Sequence, residues 1–243
     1  MATIERNKLN ALFTKVSPGT PLTSAHLADL GISSNLSGQY AKAGWLTRLS
    51  HGVYARANDV LDVHRALAVL QKTIEGLHVG GKTALDWRGV RHYVSQRPTL
   101  HLYGWEAASL PGWFTERFPA DYRRKRLFRE QPLAMLHVLR HESGESLVSS
   151  PERALLEMLS EVGVRQPLQE ARELTEGAYS LRADVLRDLL QRCNSVKTVR
   201  LCLQLGRELA LPWASKLDTA HLPTGSDRAW VSRSSEGLLI LKP

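Results

Sequence analysis

The sequence is poor in the residues that disulfide-rich and zinc-binding proteins require. Only two of its 243 residues are cysteines, Cys193 and Cys202, which is too few for a disulfide framework. Neither belongs to a pair of C-x-x-C motifs or to a cluster with histidines at the spacing of a zinc site. We therefore expect two buried thiols and no bound metal.

Long apolar runs are also missing. No segment approaches the roughly 20 apolar residues that are needed to cross a bilayer. The first eight residues, Met-Ala-Thr-Ile-Glu-Arg-Asn-Lys, have no apolar core like that of a signal peptide. A membrane protein and a secreted protein are thus disfavoured, and the sequence predicts a cytoplasmic location.

Common catalytic motifs are absent as well. The chain has neither a G-x-S-x-G nor an H-E-x-x-H sequence, which mark serine hydrolases and zinc proteases. His137, His141, Glu142 and Glu145 do not have the spacing of metal ligands. We therefore expect neither an enzyme nor a cofactor.

Acidic residues are outnumbered by basic ones. The chain has 24 Asp plus Glu against 32 Lys plus Arg, a formal net charge of +8. This surplus favours a polyanionic partner such as nucleic acid, and a basic but otherwise ordinary surface is the alternative. A hydrophobic content of 43% is sufficient for one large or two small domains with buried cores.

The N-terminal part of the chain has the pattern of a winged helix-turn-helix. A first helix is indicated by apolar residues at helical spacing: Leu9, Leu12, Phe13 and Val16. Thr23 can cap a short second helix and Ser33 a third. Two short strands, at 44–49 and 53–56, would form the wing, joined by a glycine-containing turn. These elements predict a DNA-binding domain over residues 1–57.

The third helix has the pattern of a recognition helix. At 100° per residue, its apolar residues share one side: Ile32, Leu36, Tyr40 and Ala43. The opposite side is expected to carry small residues: Ser34, Gly38 and Ala41. Asn35, Ser37 and Lys42 would flank that side, with Gln39 nearer the boundary. Such a helix can lie close to a DNA groove, where Asn and Gln can read adenine and Ser or Lys can hold phosphates.

The predicted DNA-binding residues follow from this arrangement. Five residues of the helix are expected to approach the major groove: Ser34, Asn35, Ser37, Gln39 and Lys42. Arg48 and His51 in the wing are expected to contact the DNA backbone or the minor groove. A helix-turn-helix unit that binds a protein instead of DNA is the alternative.

The larger remainder of the chain, residues 58–243, predicts a mixed α/β domain, so the whole protein is expected to be α+β. Helical patterns cover three segments, 62–75, 181–192 and 195–209. Short strands are expected at 77–79 and 99–103, and a further helix begins at the capping residue Ser150. The last residues, from Arg228 to Leu241, have the pattern of a terminal hairpin.

One string in this region imitates a nucleotide-binding loop. Residues 76–83 read Gly-Leu-His-Val-Gly-Gly-Lys-Thr, which satisfies the P-loop pattern G-x-x-x-x-G-K-[ST]. In a P-loop the strand precedes the first glycine, whereas here Leu77, His78 and Val79 form the expected strand between the glycines. No strand that ends in a magnesium-binding Asp is evident downstream. A nucleotide-dependent enzyme that uses Lys82 is therefore the less favoured alternative.

Basic residues are densest in one run, which consists of Arg123, Arg124, Lys125, Arg126 and Arg129. In a strand, Arg124 and Arg126 would share one face, and such a run can also be merely solvated. Further cations lie on the predicted helices. We predict a basic surface on the larger domain that is formed by Lys82, Arg124, Arg126, Lys197 and Arg200.

Several short strings in the chain resemble those of one protein family. They are Gly44-Trp45-Leu46 with Arg48, Gly52-Val53-Tyr54, Gly80-Gly81-Lys82-Thr83-Ala84-Leu85, Arg91-His92-Tyr93, Leu100 to Gly104, Leu110-Pro111-Gly112-Trp113, Ser150-Pro151-Glu152-Arg153-Ala154, Ser195-Val196-Lys197 with Arg200-Leu201, and Pro212-Trp213. In this order and at these spacings, the chain resembles the AbiEi antitoxins of bacterial type IV toxin-antitoxin systems over nearly its whole length.

This resemblance implies a function that composition alone does not give. AbiEi proteins are transcriptional regulators encoded beside a nucleotidyltransferase toxin. By resemblance, the winged helix is expected to bind repeats in its own promoter. The larger domain is expected to neutralise the toxin, directly or indirectly, and to assist repression.

Overall fold

The computed structural model describes residues 2–90, 99–131, 133–141, 144–234 and 237–242. The string Arg91-His92-Tyr93 and the turn residues Ser235 and Glu236 of the predicted hairpin lie outside this part. The chain forms two compact units. The first consists of Met1–Glu75, Ser109–Pro119 and Leu139–Ser146, and the second of Gly76–Ala108, Ala120–Val138 and Leu147–Pro243. A domain boundary after residue 57 stays a prediction.

Helices and strands alternate irregularly along the chain. The helices α1 to α10 are Ala2–Lys15, Ser24–Asp29, Ser34–Lys42, Val63–Thr73, Gly81–Trp87, Gly112–Thr115, Pro151–Ser160, Leu168–Gly177, Ala183–Gln191 and Val196–Glu208. The strands β1 to β10 are Leu22–Thr23, Leu46–Ser50, Val53–Arg56, His78–Val79, Leu100–Gly104, Ala120–Arg124, Leu136–His141, Gly144–Ser149, Trp230–Ser234 and Gly237–Leu241. This is the α+β class that the sequence predicted.

Helices α1 to α3 and a small antiparallel sheet form the N-terminal part of the first unit. The sheet order is β1-β3-β2. Thr23 caps α2 by accepting the N–H of His26 at 3.2 Å, and Ser33 caps α3 by accepting that of Leu36 at 3.3 Å. Both caps were predicted from the sequence. The core between these elements is formed by Leu9, Leu12, Val16, Leu22, Leu27, Ile32, Tyr40, Leu46 and Tyr54.

Strand β1 has no counterpart in the sequence analysis. It pairs antiparallel with β3, with Leu22 opposite Tyr54 and Thr23 opposite Val53. Two residues are too few to show the period-2 alternation by which a strand is recognised. The wing is therefore the edge of a three-stranded sheet and does not stand alone as a hairpin.

The second unit is organised around the buried helix α7. Strands β4, β5 and β6 lie in this unit, with β4 and β5 antiparallel, and β6 parallel to β5. Residues 152–160 of α7 are all buried, and α5, α8, α9 and α10 pack against this helix. Strands β9 and β10 pair antiparallel and confirm the terminal hairpin.

Among the described helices, none combines the length and the apolar composition that a membrane span requires.

Candidate nucleic-acid interface

A long stretch of the first unit contains no acidic residue. Residues 30–58 include neither Asp nor Glu, and they carry the cations Lys42, Arg48 and Arg56. Helix α3 and strands β2 and β3 all lie within this stretch. The Nε of Arg56 lies 3.9 Å from the carboxylate of Asp59, just after this stretch, so any attraction of polyanions by this part of the chain depends on Lys42 and Arg48.

Helix α3 presents a polar face to solvent. Asn35, Gln39 and Lys42 are exposed, and their spacing of four and three residues places them on one side of the helix. Ser34 is exposed next to this side. A Cβ added at Gly38 would meet no atom within 4 Å, so the backbone here is open to close approach. Amide and ammonium groups on such a face can contact base edges and phosphates.

Ser37 is not on this face, and its prediction as a DNA-contacting residue is wrong. Its side chain is 1% exposed, and its hydroxyl donates to the carbonyl of Ser33 at 2.9 Å. Ala41 was also expected outward but packs against the core, whereas Ala43 is exposed. Ile32 precedes the N-cap Ser33 and Ala43 is the C-cap, so neither residue indicates which side of α3 faces the core.

The wing turn holds Arg48 in place. Arg48 and His51 are both exposed. The Nε of Arg48 donates to the carbonyl of Ser50 at 3.3 Å, and its Nη2 lies 3.2 Å from Nδ1 of His51. The carbonyl of Gly52 accepts both the N–H of Ser24 at 2.8 Å and its hydroxyl at 3.1 Å. The turn is thus tied to the first residue of α2.

Trp45 is an exposed residue that sequence reasoning did not assign to the interface. It lies between α3 and β2, and its side chain is 52% exposed. Its backbone is fixed at both ends, since its N–H donates to Tyr40 at 2.9 Å and its carbonyl accepts from Ala57 at 3.1 Å. The available signal was a large aromatic residue among small and polar neighbours.

Only part of the basic surface predicted on the second unit is found at the surface. Arg124 and Arg126 are exposed, and the Nε of each donates to the carbonyl of Trp105, at 3.3 and 3.5 Å. The guanidinium of Arg126 lies over the Trp105 ring at 5.9 Å and pairs with Glu106 at 2.6 Å. Both guanidinium groups thus lie beside the same carbonyl, and the charge of Arg126 is partly neutralised.

Two predicted surface lysines instead hold elements of the second unit together. The Nζ of Lys82 pairs with Glu170 at 3.1 Å. The Nζ of Lys197 donates to the carbonyls of Ser160 and Val162 at 2.9 and 2.8 Å, at the negative end of the α7 dipole. Burial lowers the pKa of Lys197. The ammonium of Lys197 therefore serves the fold, which corrects its prediction as an open surface cation.

Arg200 was predicted at the surface and is buried. Its side chain is 2% exposed and donates to four backbone carbonyls near the C-terminus: Ser226, Thr224 at 2.6 Å, Arg228 at 2.7 Å and Leu241 at 3.2 Å. Arg200 follows Val196 by four residues and precedes Leu203 by three, so it lies on the same side of α10 as these two apolar residues. Arg200 fastens the C-terminal segment to α10 and is no part of a binding surface.

In the structure, a carboxylate lies against the segment whose sequence imitates a P-loop. The side chain of Glu157 accepts four donors: the N–H of Gly81 at 3.1 Å, the hydroxyl of Ser149 at 2.8 Å, Nε of Arg153 at 2.7 Å and Nε2 of His78 at 3.0 Å. Burial by itself would raise the pKa of Glu157, but the charges of Arg153 and His78 lower it to about 2.

The glycines of this string are explained by packing. A Cβ at Gly80 would overlap Glu157, and one at Gly81 would lie 2.6 Å from the hydroxyl of Tyr103. Strand β4 lies between the glycines, contrary to the order in a P-loop. With a carboxylate at the N-terminus of α5, where a P-loop would cradle phosphate, the geometry does not favour nucleotide binding. The described residues also contain no cluster of three or more metal-ligating side chains.

Comparison with known proteins gives matches over the whole length. A family model described as "Transcriptional regulator, AbiEi antitoxin N-terminal domain" matches residues 5–96, and one described as "Transcriptional regulator, AbiEi antitoxin, Type IV TA system" matches residues 97–242. The crystal structure of the RV2827C protein from Mycobacterium tuberculosis is similar, with a TM-score of 0.58 and 13% identity over 92% of this chain and 87% of that chain. That similarity concerns the fold. Comparison with curated proteins finds no significant match.

Proposed function

The chain belongs to the AbiEi antitoxin family of transcriptional regulators of type IV toxin-antitoxin systems, and from this premise we propose that it represses its own promoter. In this proposal the winged helix of the first unit binds repeats in the promoter DNA. The protein also neutralises a cognate nucleotidyltransferase toxin, directly or indirectly. A regulator of this kind acts where its DNA is, in the cytoplasm, and acts by binding without catalysing a reaction.

The exposed face of α3 is the observation that carries the DNA-binding proposal. Asn35, Gln39 and Lys42 share one side of a capped helix in a stretch of 29 residues without a carboxylate. A helix with such a face fits the major groove, where the two amides can each pair with an adenine edge. Ser34 at the helix start and Lys42 at its end would contact phosphates.

The wing and the second unit add contacts in this proposal. Arg48 and His51 extend from the wing turn toward the DNA backbone or the minor groove. Arg124 and Arg126 form a smaller basic surface on the second unit that can assist by attracting phosphate. Lys82, Lys197 and Arg200 are assigned no DNA contact, since each is engaged within the fold.

A salt series tests the proposal. The full chain is titrated against its own upstream DNA and against random DNA of the same length, from low to physiological salt, by fluorescence anisotropy. We expect tighter binding to the upstream DNA, and log affinity should fall linearly with log salt because counterions are released from phosphates. The same slope should be found for a variant of Lys72, an exposed lysine on α4 outside the interface.

The outcome distinguishes the functional classes. Equal affinity for both DNAs would contradict the autorepressor. If no DNA binding occurs at low salt, the first unit is better explained as a protein-interaction module. Equilibrium dialysis with ATP tests the remaining alternative, and we expect no binding because Glu157 accepts the N–H of Gly81 in the place of a phosphate.

A further inference from the structure

Arg48 in the wing is oriented by two contacts of its guanidinium. An exposed arginine normally samples many rotamers, and holding it in one costs conformational entropy. Arg48 is exposed, yet its guanidinium is held at two points, by the carbonyl of Ser50 at 3.3 Å and by the ring of His51 at 3.2 Å. Both partners belong to the wing turn itself.

The guanidinium of Arg48 has further N–H donors that can bind a ligand. Arginine has five N–H donors and no acceptor. The contacts with Ser50 and His51 use Nε and one hydrogen of Nη2, which leaves three donors on the two Nη atoms. The planar group at the wing tip can therefore bind acceptors that lie side by side.

The wing tip is also narrow. The strands β2 and β3 are joined by a tight turn of small and polar residues, Ser50, His51 and Gly52. Neither strand contains a carboxylate. The minor groove is only about 6 Å wide, and its negative potential, which is strongest in narrow A·T-rich segments, attracts arginine.

A phosphate contact would not require this arrangement. A phosphate can be bound by a point charge such as a lysine ammonium, for which the orientation of the side chain matters little. Acceptors on the floor of a groove have fixed positions, so a guanidinium that is already oriented gains most there. The tie between Gly52 and Ser24 fixes the turn in the same way.

We propose that Arg48 enters the DNA minor groove and binds adenine N3 or thymine O2, and that His51 is a positioning residue that holds its guanidinium. This inference rests on the proposed function and commits to one of the two wing contacts left open there. In the arrangement described, Nδ1 of His51 accepts a hydrogen from Arg48. The imidazole thus acts through Arg48 and does not read a base.

Modified bases test the groove. In the upstream duplex, 2,6-diaminopurine replaces adenine at one A·T pair at a time, which adds an amino group in the minor groove and keeps the N7 and N6 pattern of the major groove. At the positions under the wing, we expect the affinity of the full chain to fall roughly tenfold. The same substitution should change the affinity of the Arg48→Ala variant less than twofold. As a matched control, 7-deazaadenine at the same positions alters only the major groove and should have no effect.

Variants of His51 test the positioning role. His51→Ala should weaken binding to the unmodified duplex and reduce the diaminopurine effect, because Arg48 is released. His51→Asn should restore both, since its Oδ1 is an acceptor at nearly the position of Nδ1. In the Arg48→Ala background, His51→Ala should have no further effect. Both side chains are exposed, so circular dichroism should be the same for all variants.

The possible results separate this inference from the proposed function. If diaminopurine lowers the DNA affinity of the wild type and of Arg48→Ala equally at every position, Arg48 is not in the minor groove. The same conclusion follows if diaminopurine lowers the affinity of the wild type at no position. If His51→Ala costs the same affinity with and without Arg48, His51 contacts DNA itself. Either result, combined with an intact preference for the upstream DNA, overturns this inference alone. Loss of that preference in the wild type overturns the autorepressor.

Discussion

Asn35 and Lys42 lie on the same face of α3 and have different chemistry. An ammonium group contributes mainly through charge, so Lys42→Ala should weaken binding to all DNA sequences and reduce the salt slope by about one unit. An amide can pair with an adenine edge, so Asn35→Ala should lower affinity for the upstream DNA roughly 5- to 100-fold and hardly change that for random DNA. Anisotropy titrations on both DNAs at several salt concentrations measure the two effects.

A matched control separates these roles from general effects of charge. Lys72 is exposed on α4 of the same unit, and Lys72→Ala should leave both affinities unchanged. The division between Lys42 and Asn35 is contradicted if the two variants lose equal affinity on upstream and random DNA.

Single residues also show where sequence reasoning fails. Ser37 is hydrophilic by type, but in a helix its hydroxyl can donate to the carbonyl four residues earlier, which here allows it to be buried. Arg200 is buried because it meets carbonyls of residues 224–241. Since that segment is distant in sequence, no local pattern could reveal its contact with α10.

At the scale of elements, local patterns were sufficient for most of the helices. The capped starts at Thr23, Ser33 and Ser150 and the helices α4, α9 and α10 follow from capping residues and apolar periodicity. The terminal hairpin is confirmed for the same reason. Strand β1 and the orientation of α3 depend on tertiary packing and were missed or misjudged.

Glu157 joins β4, α5 and α7, so its removal should affect all three elements. It accepts donors from His78, Gly81 and Arg153. Glu157→Gln removes the buried carboxylate that pairs with Arg153 and should lower the free energy of unfolding by about 3 kcal/mol at pH 7. Urea denaturation measures this loss. Glu130→Gln, at an exposed position, should change the free energy by less than about 0.5 kcal/mol.

The same carboxylate predicts a pH dependence. Its pKa in the folded protein is about 2, below the value of about 4.3 for an unperturbed Glu. The stability that it contributes is therefore present above about pH 4 and is lost as the pH falls toward 2. Denaturation between pH 2 and 7 should show a shallower acid loss for Glu157→Gln than for wild type. Parallel curves for the two proteins would contradict this assignment.

At the scale of the whole molecule, the net charge favours a polyanionic partner but does not indicate where on the protein it would bind. Several cations that contribute to the total of +8 are bound within the second unit, among them Lys82, Lys197 and Arg200. In the basic run at 123–129, Arg123, Lys125 and Arg126 pair with carboxylates, whereas Lys42 and Arg48 lie in a stretch of the first unit without acidic residues. Composition cannot reveal this, because pairing depends on which side chains the fold brings together.

The proposed antitoxin role is assigned to the larger domain and is tested in cells with the full chain. Co-expression of the full chain should restore growth to cells in which the cognate nucleotidyltransferase toxin is expressed from an unrelated promoter. We expect the double variant Lys42→Ala, Arg48→Ala to restore growth as well, because neutralisation is assigned to the larger domain. Colony counts and growth curves give the result.

The control for that experiment is an empty vector with the same promoter. If the full chain does not restore growth, the antitoxin half of the proposed function is wrong. If only the double variant fails, neutralisation requires DNA binding.

The link between Gly52 and Ser24 has an entropic consequence for recognition. Because the wing turn is hydrogen-bonded to α2, its conformational freedom is given up when the first unit folds. If the wing binds DNA as proposed, less ordering is needed on binding, so association should have a smaller entropic penalty than for a wing that folds onto the groove. The hydrogen bonds that order the wing turn when the unit folds thus lower the entropic cost of a later binding step.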